Sequence, residues 1–255
     1  MQVSRLNENL VVLFSDYITG EPFLSFIGKN ALLQTVQMVI EYSKERYQLP
    51  SLKLIPECIA RHLPTSEFII TEDRDSFDYI YPISFFHQLI EQPAKHKPTS
   101  HLRFFTRSYP QYQYTFRLLH EADKHELKIL FKTWACNKSI NHRDMHEYIA
   151  FERLLQYSDK RIFITTISVD SCLVGFMINE ILANNYAICH FCKADVSYRG
   201  IYEALIWIAS SKLNELGMQY LNFEQDLGME NLRRSKEKYK NHSFLKKFKL
   251  ENNSF

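Results

Sequence analysis

The stretch that decides the fold is RIFITTISVDSCLVGFMINEIL, residues 161–182. It consists of two apolar, β-branched runs interrupted only at Asp170-Ser171, and this pattern predicts two strands joined by a two-residue turn. NNYAICHFCKAD, residues 184–195, follows as a third strand after an Asn-Asn turn. The centre of the second half of the chain is therefore predicted to be a largely antiparallel sheet.

Helices are predicted both before and after these strands in the sequence. IYEALIWIASSKLNELG, residues 201–217, is amphipathic and ends at Gly217, and the residues predicted to share its apolar side are Ile201, Leu205, Ile208, Ala209 and Leu216. A strand, MQYLNFEQD, and a last helix beginning NLRRSKEKY come after it. Before residue 161, one strand (YTFRLLH) and two helices (ADKHELKILFKTWACN and HEYIAFERLLQYS) are expected.

The resulting order, β-α-α-β-β-β-α-β-α, is that of the acetyltransferase (GNAT) fold, a mixed sheet whose ligands bind around the central strand and the helix after it. The first half is less regular. Residues 30–48 predict a helix with Asn30 as its N-cap, and residues 52–63 and 66–82 read as strand-rich. Residues 92–101, QPAKHKPTSH, have no periodicity and are expected to be a connector.

Composition indicates a globular protein. Of 255 residues, 45% are hydrophobic and 14% aromatic, and the net charge is +2. The positive charge is concentrated near the end, where residues 229–250 hold eight lysines and arginines against Glu230 and Glu237. The chain begins without a signal-peptide pattern and has no apolar run of ~18–20 residues. Its five cysteines lack a disulfide spacing, so a soluble, reduced, cytoplasmic protein without a transmembrane segment is expected.

Several short motifs fail on chemical grounds. CHFC, residues 189–192, lies within a strand, where alternation separates the two sulfurs, and no second pair completes a zinc site. HRDMH, residues 142–146, has Arg143 where a zincin needs glutamate, and Ile149 where a kinase needs asparagine. DRDSFD, residues 73–78, lacks the glycine of a calcium loop. No metal site is predicted.

The loop SYRGIYEAL, residues 197–205, leads through Gly200 into a helix. Free backbone N–H groups and the helix dipole at such a position suit a phosphate or carboxylate. Relatives of this fold that use acetyl-CoA carry a second glycine or alanine two residues later, and here Tyr202 takes that place, where it should crowd a pyrophosphate. The alternative interpretation is an ordinary strand-to-helix turn, since one glycine loop is a weak signal.

The most unusual chemistry lies in NFEQDLGMENLRRSKEKY, residues 222–239. On a strand, Asn222, Glu224 and Asp226 would share one face, and two carboxylates there need partners or a solvated cleft. Arg233 and Lys236 share a helix face that could meet these carboxylates or a ligand phosphate. Two interpretations remain open: a ligand-binding site, or a structural network that fixes the last helix to the sheet.

The sequence around these residues closely resembles the C-terminal domain of phosphatidylglycerol lysyltransferases. The family pattern runs His-Phe-x-Lys-Ala-Asp, Gly-x-Tyr, Asn-x-Glu-x-Asp-Leu-Gly and Leu-Arg-x-x-Lys-x-x-Tyr, and weaker agreement extends to residues 73–82 and 174–180. In this chain the positions of the pattern are His190, Phe191, Lys193, Ala194, Asp195, Gly200, Tyr202, Asn222, Glu224, Asp226, Leu227, Gly228, Leu232, Arg233, Lys236 and Tyr239.

The resemblance implies an α/β (α+β) chain of two tandem GNAT-like domains, residues 1–108 and 109–255, each a mixed, mostly antiparallel sheet flanked by helices, as in Fem-type aminoacyltransferases. It implies transfer of an aminoacyl group from charged tRNA to phosphatidylglycerol or another acceptor, with no required cofactor and with acyl-CoA as the alternative donor. Aminoacyl-tRNA and anionic phospholipid are the implied partners, at the inner face of the membrane. The family's Lys-Arg-Asn segment is replaced here by AKHKPTSHLRFF, residues 94–105, which keeps Lys95, Lys97 and Arg103.

These observations give a hypothesis for the site. Glu224 or Asp226 would act as base or position the acceptor, Lys193 oriented by Asp195 would stabilise charge, and Arg233 and Lys236 would meet a phosphate. The remaining positions expected to bind substrate are Asn222, Tyr239, Gly200 and Tyr202. Three functions compete: an aminoacyl- or acyltransferase, an acetyl-CoA-dependent N-acetyltransferase, and a non-catalytic module that binds tRNA or anionic membrane surfaces.

Overall fold

The computed structural model describes residues 2–16, 19–86, 97–139, 146–157, 159–240 and 242–253. Its contacts divide the chain into two compact units, each built from separate segments. The first unit comprises Met1–Asp78, Gln225–Arg233 and Phe244–Phe255, and the second comprises Tyr79–Glu224 and Arg234–Ser243. These units differ in composition from residues 1–108 and 109–255, and the division of the chain into two tandem GNAT-like domains at residue 108 stays a prediction.

The first unit contains a six-stranded sheet in the order β1-β2-β3-β4-β13-β5, in which only β3 and β4 pair in parallel. Its strands are β1 (Gln2–Leu6), β2 (Asn9–Ser15), β3 (Pro22–Ile27), β4 (Ser51–Pro56), β5 (Phe68–Glu72) and β13 (Lys247–Asn252). Its helices are α1 (Leu32–Tyr47), the short α2 (Glu57–Ala60) and a 3-10 turn (Arg74–Ser76).

Helix α1 packs against this sheet through one apolar face. Val36, Val39 and Ile40 are buried against strand residues such as Phe26 and Leu52, as the helical periodicity predicts. The prediction that Asn30 is the N-cap is wrong: the cap is Ala31, at a φ of 40°. The side chain of buried Asn9 accounts for the difference, because it accepts from the Asn30 N–H and donates to the Asn30 carbonyl.

Six neighbouring strands of a seven-stranded sheet follow the order β6-β11-β10-β9-β8-β7 in the second unit; β10 and β11 pair in parallel, and β6–β11, β10–β9, β9–β8 and β8–β7 pair antiparallel. They are β6 (Asp78–Pro82), β7 (Gln113–Leu118), β8 (Ile162–Val169), β9 (Cys172–Ile181), β10 (Tyr186–Ala194) and β11 (Tyr220–Asn222). Its helices are α3 (Lys97–Ser108), a 3-10 turn (Glu121–Asp123), α4 (Lys124–Asn137), α5 (His146–Gln156) and α6 (Ile201–Glu215). Helix α7 (Glu230–Glu237) and strand β12 (Ser243–Leu245) each have residues in both units.

The order of elements predicted for the second half is confirmed, and so is the turn at the centre of the deciding stretch. Asp170 and Ser171 have φ values of 49° and 64°, the left-handed pair that a two-residue hairpin turn requires. The core behind this hairpin is aromatic: Phe131 and Phe151 stack at 4.9 Å, and Phe151 stacks on Phe176 at 5.6 Å.

Two predictions for helices of the second unit are wrong. The expected connector at residues 92–101 runs into helix α3, whose buried face includes Thr99, Leu102 and Phe105 while Arg103 and Arg107 are exposed; residues 87–96 lie outside the described part. Leu216, expected on the apolar side of α6, is 44% exposed, because the helix ends at Glu215 and Leu216 is its C-cap. Gly217 does end the helix, at a φ of 83°.

Candidate active site

The chain leaves the sheet of the second unit at Asn222, four residues before the end of the predicted strand. The Asn222 side chain accepts a hydrogen bond of 2.6 Å from the Glu224 N–H, and Glu224 has a φ of 56°. In this Asx turn the Glu224 N–H bonds to a side chain, while the Phe223 N–H and the Glu224 carbonyl still bond to the backbone of Tyr79 on β6. The alternation that was expected to align Asn222, Glu224 and Asp226 on one strand face is therefore wrong.

Turning the chain here places Glu224 beside His190, at the edge of solvent. Oε1 of Glu224 lies 3.4 Å from His190 Nδ1, and Oε2 of Glu180 lies 2.9 Å from His190 Nε2. His190 stands where β10 has a bulge between Cys189 and Phe191, a distortion that re-aims a side chain. The imidazole is thus held between two carboxylates, and we call these three residues the histidine clamp.

The clamp favours the charged form of the imidazole. Burial lowers the pKa of His190, but the hydrogen bonds and charges of Glu224 and Glu180 outweigh burial, so that the pKa of His190 is raised. The Glu224 side chain is 42% exposed, against 24% for His190 and 22% for Glu180. Of the three, Glu224 is therefore the group most accessible to a substrate.

Lys236 supports the turn from the last helix. Its Nζ donates to the backbone carbonyls of Phe223 (2.5 Å) and Glu224 (3.1 Å), and its own carbonyl accepts from the hydroxyl of buried Tyr81 at 2.7 Å. In the structure the ammonium therefore holds backbone next to Glu224. A role of Lys236 in binding a phosphate stays a prediction.

Asp226 and Arg233 meet in the first unit. Asp226 is fully buried, and its carboxylate accepts from Arg74 Nη1 (3.1 Å), Arg233 Nε (2.9 Å), Arg233 Nη2 (2.9 Å) and the Gly228 N–H (3.0 Å). Arg233 also donates to Asp75 at 2.6 Å, and the pKa of Arg233 is raised chiefly by its hydrogen bonds to Asp226 and Asp75. Four donors around one carboxylate match the structural network considered in the sequence analysis.

The predicted four-residue constellation is thus divided between the two units. Glu224 and Lys236 belong to the second, and Asp226 and Arg233 to the first. Within each unit the structure brings the two residues together, in the first through side chains and in the second through the backbone of Glu224.

Lys193 has a different partner from the one expected. Its Nζ lies 2.6 Å from Glu147 Oε1 and 3.7 Å from the centre of a Trp134 ring, and the side chain is 9% exposed. This arrangement combines an ion pair with a cation–π contact. Asp195 instead accepts from Asn137 Nδ2 and the Ser197 N–H, each at 3.0 Å.

The Gly200 loop is closed by helix α3. A Cβ at Gly200, whose φ is 88°, would stand 2.2 Å from the His101 carbonyl oxygen, so glycine is required for two backbone segments to approach. Tyr202 and Tyr239 lie deeper, and burial raises the pKa of both phenols. Within the part of the chain that the structure describes, the buried Tyr239 hydroxyl has no hydrogen-bond partner.

Another charged group in the second unit was missed in the sequence. Glu203 on α6 is 5% exposed and pairs with Lys238 at 2.7 Å and His101 at 3.3 Å. Burial raises the pKa of Glu203, but the charge and hydrogen bond of Lys238 outweigh burial, so that the pKa of Glu203 is lowered. Among the described residues, no cluster of three or more His, Cys, Asp or Glu side chains could hold a metal ion.

Two mixed sheets flanked by helices define a GNAT-like fold, as predicted. The family model described as phosphatidylglycerol lysyltransferase, C-terminal, matches residues 26–250. The chain belongs to that family, and the resemblance seen in the sequence is confirmed.

Solved structures show the same fold. A conserved protein of unknown function from Bacteroides thetaiotaomicron is 24% identical, with a TM-score of 0.79 over 99% of this chain and 86% of that one. L-PGS from Bacillus licheniformis is 11% identical, with a TM-score of 0.61 over 95% and 80%. FemX is 9% identical, with a TM-score of 0.60 over 94% and 83%. Comparison with curated proteins gave no match.

Among the residues that the structure describes, no helix combines the length and the apolar character that crossing a bilayer requires.

Proposed function

We propose that this protein transfers an aminoacyl group from a charged tRNA to a hydroxyl or amine of an acceptor, and that Glu224 takes the acceptor's proton. Membership of the family supports the reaction class. The observation that carries the residue assignment is the histidine clamp, in which an accessible carboxylate is oriented by an imidazole that a second carboxylate anchors.

The reaction replaces one acyl bond by another. The acceptor O–H or N–H gives its proton to the Glu224 carboxylate while its heteroatom attacks the ester carbonyl of the aminoacyl group. The resulting tetrahedral intermediate collapses by breaking the bond to the ribose oxygen. That oxygen recovers the proton from Glu224, which leaves the free tRNA and the aminoacylated acceptor.

His190 and Glu180 are positioning residues in this proposal. The His190 imidazole orients the Glu224 carboxylate, and Glu180 fixes the imidazole from its other nitrogen. Asn222 and Lys236 hold the backbone of Glu224 in its left-handed conformation. Asp226 and Arg233 have a structural role in this proposal, because the Arg233 guanidinium donates two hydrogen bonds to the Asp226 carboxylate.

The test is a transfer assay with labelled aminoacyl-tRNA and phosphatidylglycerol vesicles, followed by extraction of the lipid, with peptide and amine acceptors in parallel. Glu224→Gln keeps the shape of the side chain but removes the base, and it should lower transfer by about 100-fold or more. Glu230→Gln is the matched control: it changes an exposed glutamate on α7 and should leave the rate unchanged.

His190→Gln provides a readout that a merely structural role would not change. It should lower kcat and also remove the loss of rate on the alkaline side of the pH–rate profile, since the raised pKa of His190 makes loss of its charge an event of rising pH. Transfer by Glu224→Gln at the normal rate would contradict the assignment. Absence of transfer to every acceptor, in a protein that still binds tRNA, would contradict the proposed function and favour a non-catalytic module.

Acyl-CoA is the alternative donor, and the Gly200 loop argues against it. The His101 carbonyl oxygen packs against Gly200 just before the start of α6, and a carbonyl oxygen at this position would repel a pyrophosphate. Acetyl-CoA should therefore leave the unfolding temperature unchanged, whereas a ligand bound to the folded state must raise it. A rise that saturates with acetyl-CoA would favour the N-acetyltransferase.

A further inference from the structure

An arginine-rich face lies on helix α3 and on the residue before Gly200. Arg103 and Arg107 are exposed one helical turn apart, and Phe104 between them is 41% exposed. The Arg199 guanidinium lies over the Phe104 ring, 4.9 Å from its centre. We call these four residues the arginine platform.

The charges of this platform are not neutralised within the described part of the chain. The Glu203 carboxylate pairs with Lys238 and His101. The Asp195 carboxylate accepts hydrogen bonds from Asn137 and the Ser197 N–H. Neither Arg103, Arg107 nor Arg199 has an ion pair with any residue that the structure describes. Uncompensated arginines of this kind suit a polyanion.

We infer that the arginine platform binds RNA, with Arg103 and Arg107 on phosphates and an unpaired base stacked at the Phe104–Arg199 pair. Guanidinium groups bind phosphate oxygens in pairs, and unpaired bases stack on aromatic rings and on guanidinium planes. An exposed aromatic side chain interleaved with cations provides both contacts at one place.

An anionic membrane fits this face less well. A helix that lies in the bilayer interface needs a continuous apolar face opposite its cations. On α3, Leu102 and Phe105 are buried within the protein, so Phe104 is the single large apolar side chain of the described helix that is strongly exposed. That the RNA is the donor tRNA rests on the proposed function; RNA binding itself does not.

The experiment measures binding of deacylated tRNA and of a short single-stranded RNA to the full chain by fluorescence anisotropy over a range of salt concentrations. Arg103→Gln/Arg107→Gln should weaken binding by about tenfold or more and reduce the salt slope by about 1.4, since each phosphate contact on single strands contributes ~0.7. Phe104→Ala should weaken binding roughly tenfold with the salt slope unchanged, because stacking carries no charge.

The matched control is Lys132→Gln/Arg153→Gln, which removes two exposed cations from α4 and α5. It should change the affinity by less than about twofold. The inference is overturned if the platform variants bind RNA as the wild type does, or if the control loses as much affinity. It is also overturned if the platform variants keep RNA binding but lose binding to phosphatidylglycerol vesicles, because the platform would then be a membrane-binding surface.

Circular dichroism and the unfolding temperature establish that each variant is folded, which is expected because the changed side chains are exposed. The outcomes separate the two proposals. If RNA binding depends on the platform but no acceptor is ever aminoacylated, the RNA surface stands and the proposed function fails. If the protein transfers the aminoacyl group but the platform variants bind RNA with the affinity of the wild type, this inference alone fails.

Discussion

Asp226 is the residue at which a structural and a catalytic role can be separated most cleanly. It is 0% exposed and accepts from both Arg74 and Arg233. Asp226→Asn would leave two guanidinium groups without their buried counter-charge. The free energy of unfolding in urea should therefore fall by about 3 kcal/mol, at the low end for a broken buried pair because both arginines are about one-third exposed.

Asp75→Asn is the matched control for this prediction. Asp75 also contacts Arg233, at 2.6 Å, but its side chain is 61% exposed, so its loss should cost no more than about 1 kcal/mol. If Asp226→Asn abolished transfer while the unfolding curve stayed in place, Asp226 would be a catalytic group and the structural assignment would be wrong.

Residue chemistry alone could indicate Glu224 and Asp226, because carboxylates within an apolar run need an explanation. It could not indicate their partners. His190 reaches Glu180 because β9 and β10 pair in a register that a bulge shifts between Cys189 and Phe191. Lys193 meets Glu147, 46 positions earlier, through packing of α5. Such contacts depend on register and packing, which one sequence without its structure leaves undetermined.

The start of helix α6 gives a prediction at the scale of elements. Gly200 has a φ of 88°, and a Cβ there would stand 2.2 Å from a backbone oxygen of α3. Gly200→Ala should therefore combine left-handed strain with a clash that only movement of a whole helix relieves. We expect the free energy of unfolding to fall by about 3 kcal/mol or more.

Gly217 at the other end of the same helix offers a control that isolates the clash. Its φ is 83°, and nothing lies within 4 Å of a Cβ built there. Gly217→Ala should cost only the left-handed strain, about 1–2 kcal/mol. Equal losses for the two variants in urea unfolding would mean that close packing against α3 contributes nothing to the requirement for glycine at position 200.

Elements with a strong periodicity were predicted well, and the errors fall where a local hydrogen bond or a helix end decides. The strand after α6 was extended to Asp226, but the Asn222 side chain ends it by binding the Glu224 N–H. Helix α3 was missed because its buried positions, which include Leu102 and Phe105, are separated by polar residues, and one buried position, Thr99, is itself polar. In the strand, a side-chain hydrogen bond competes with backbone pairing; in the helix, the polar exposed residues obscure the helical spacing of the buried ones.

At the scale of the whole molecule, the resemblance to one family identified a two-sheet GNAT-like fold. The way the chain is shared between compact units was not predictable from it. Residues 225–233 and 244–255 join the first unit although they follow the last strand of the second. Local patterns carry no information about such returns of the chain, since they arise from contacts between residues far apart in sequence.

The pH dependence of global stability should report two charge clusters, one around His190 and one around Glu203, at opposite ends of the pH range. The pKa of His190 is raised in the folded state, so its contribution to stability is complete below the unfolded value of about 6.5 and is lost as pH rises through the folded value. The pKa of Glu203 is lowered, so its contribution is present above about 4.3 and is lost as pH falls through the folded value.

Single variants assign each limb of this profile. In urea unfolding across pH, His190→Gln should flatten the loss on the alkaline side and leave the acidic side as in the wild type. Glu203→Gln should flatten the loss on the acidic side and leave the alkaline side as in the wild type. The variant has no carboxyl at position 203 whose titration Lys238 and His101 could shift on folding. If His190→Gln left the alkaline limb unchanged, the imidazole would not be held as a cation by its two carboxylates, and the orienting role of the histidine clamp would fall with it.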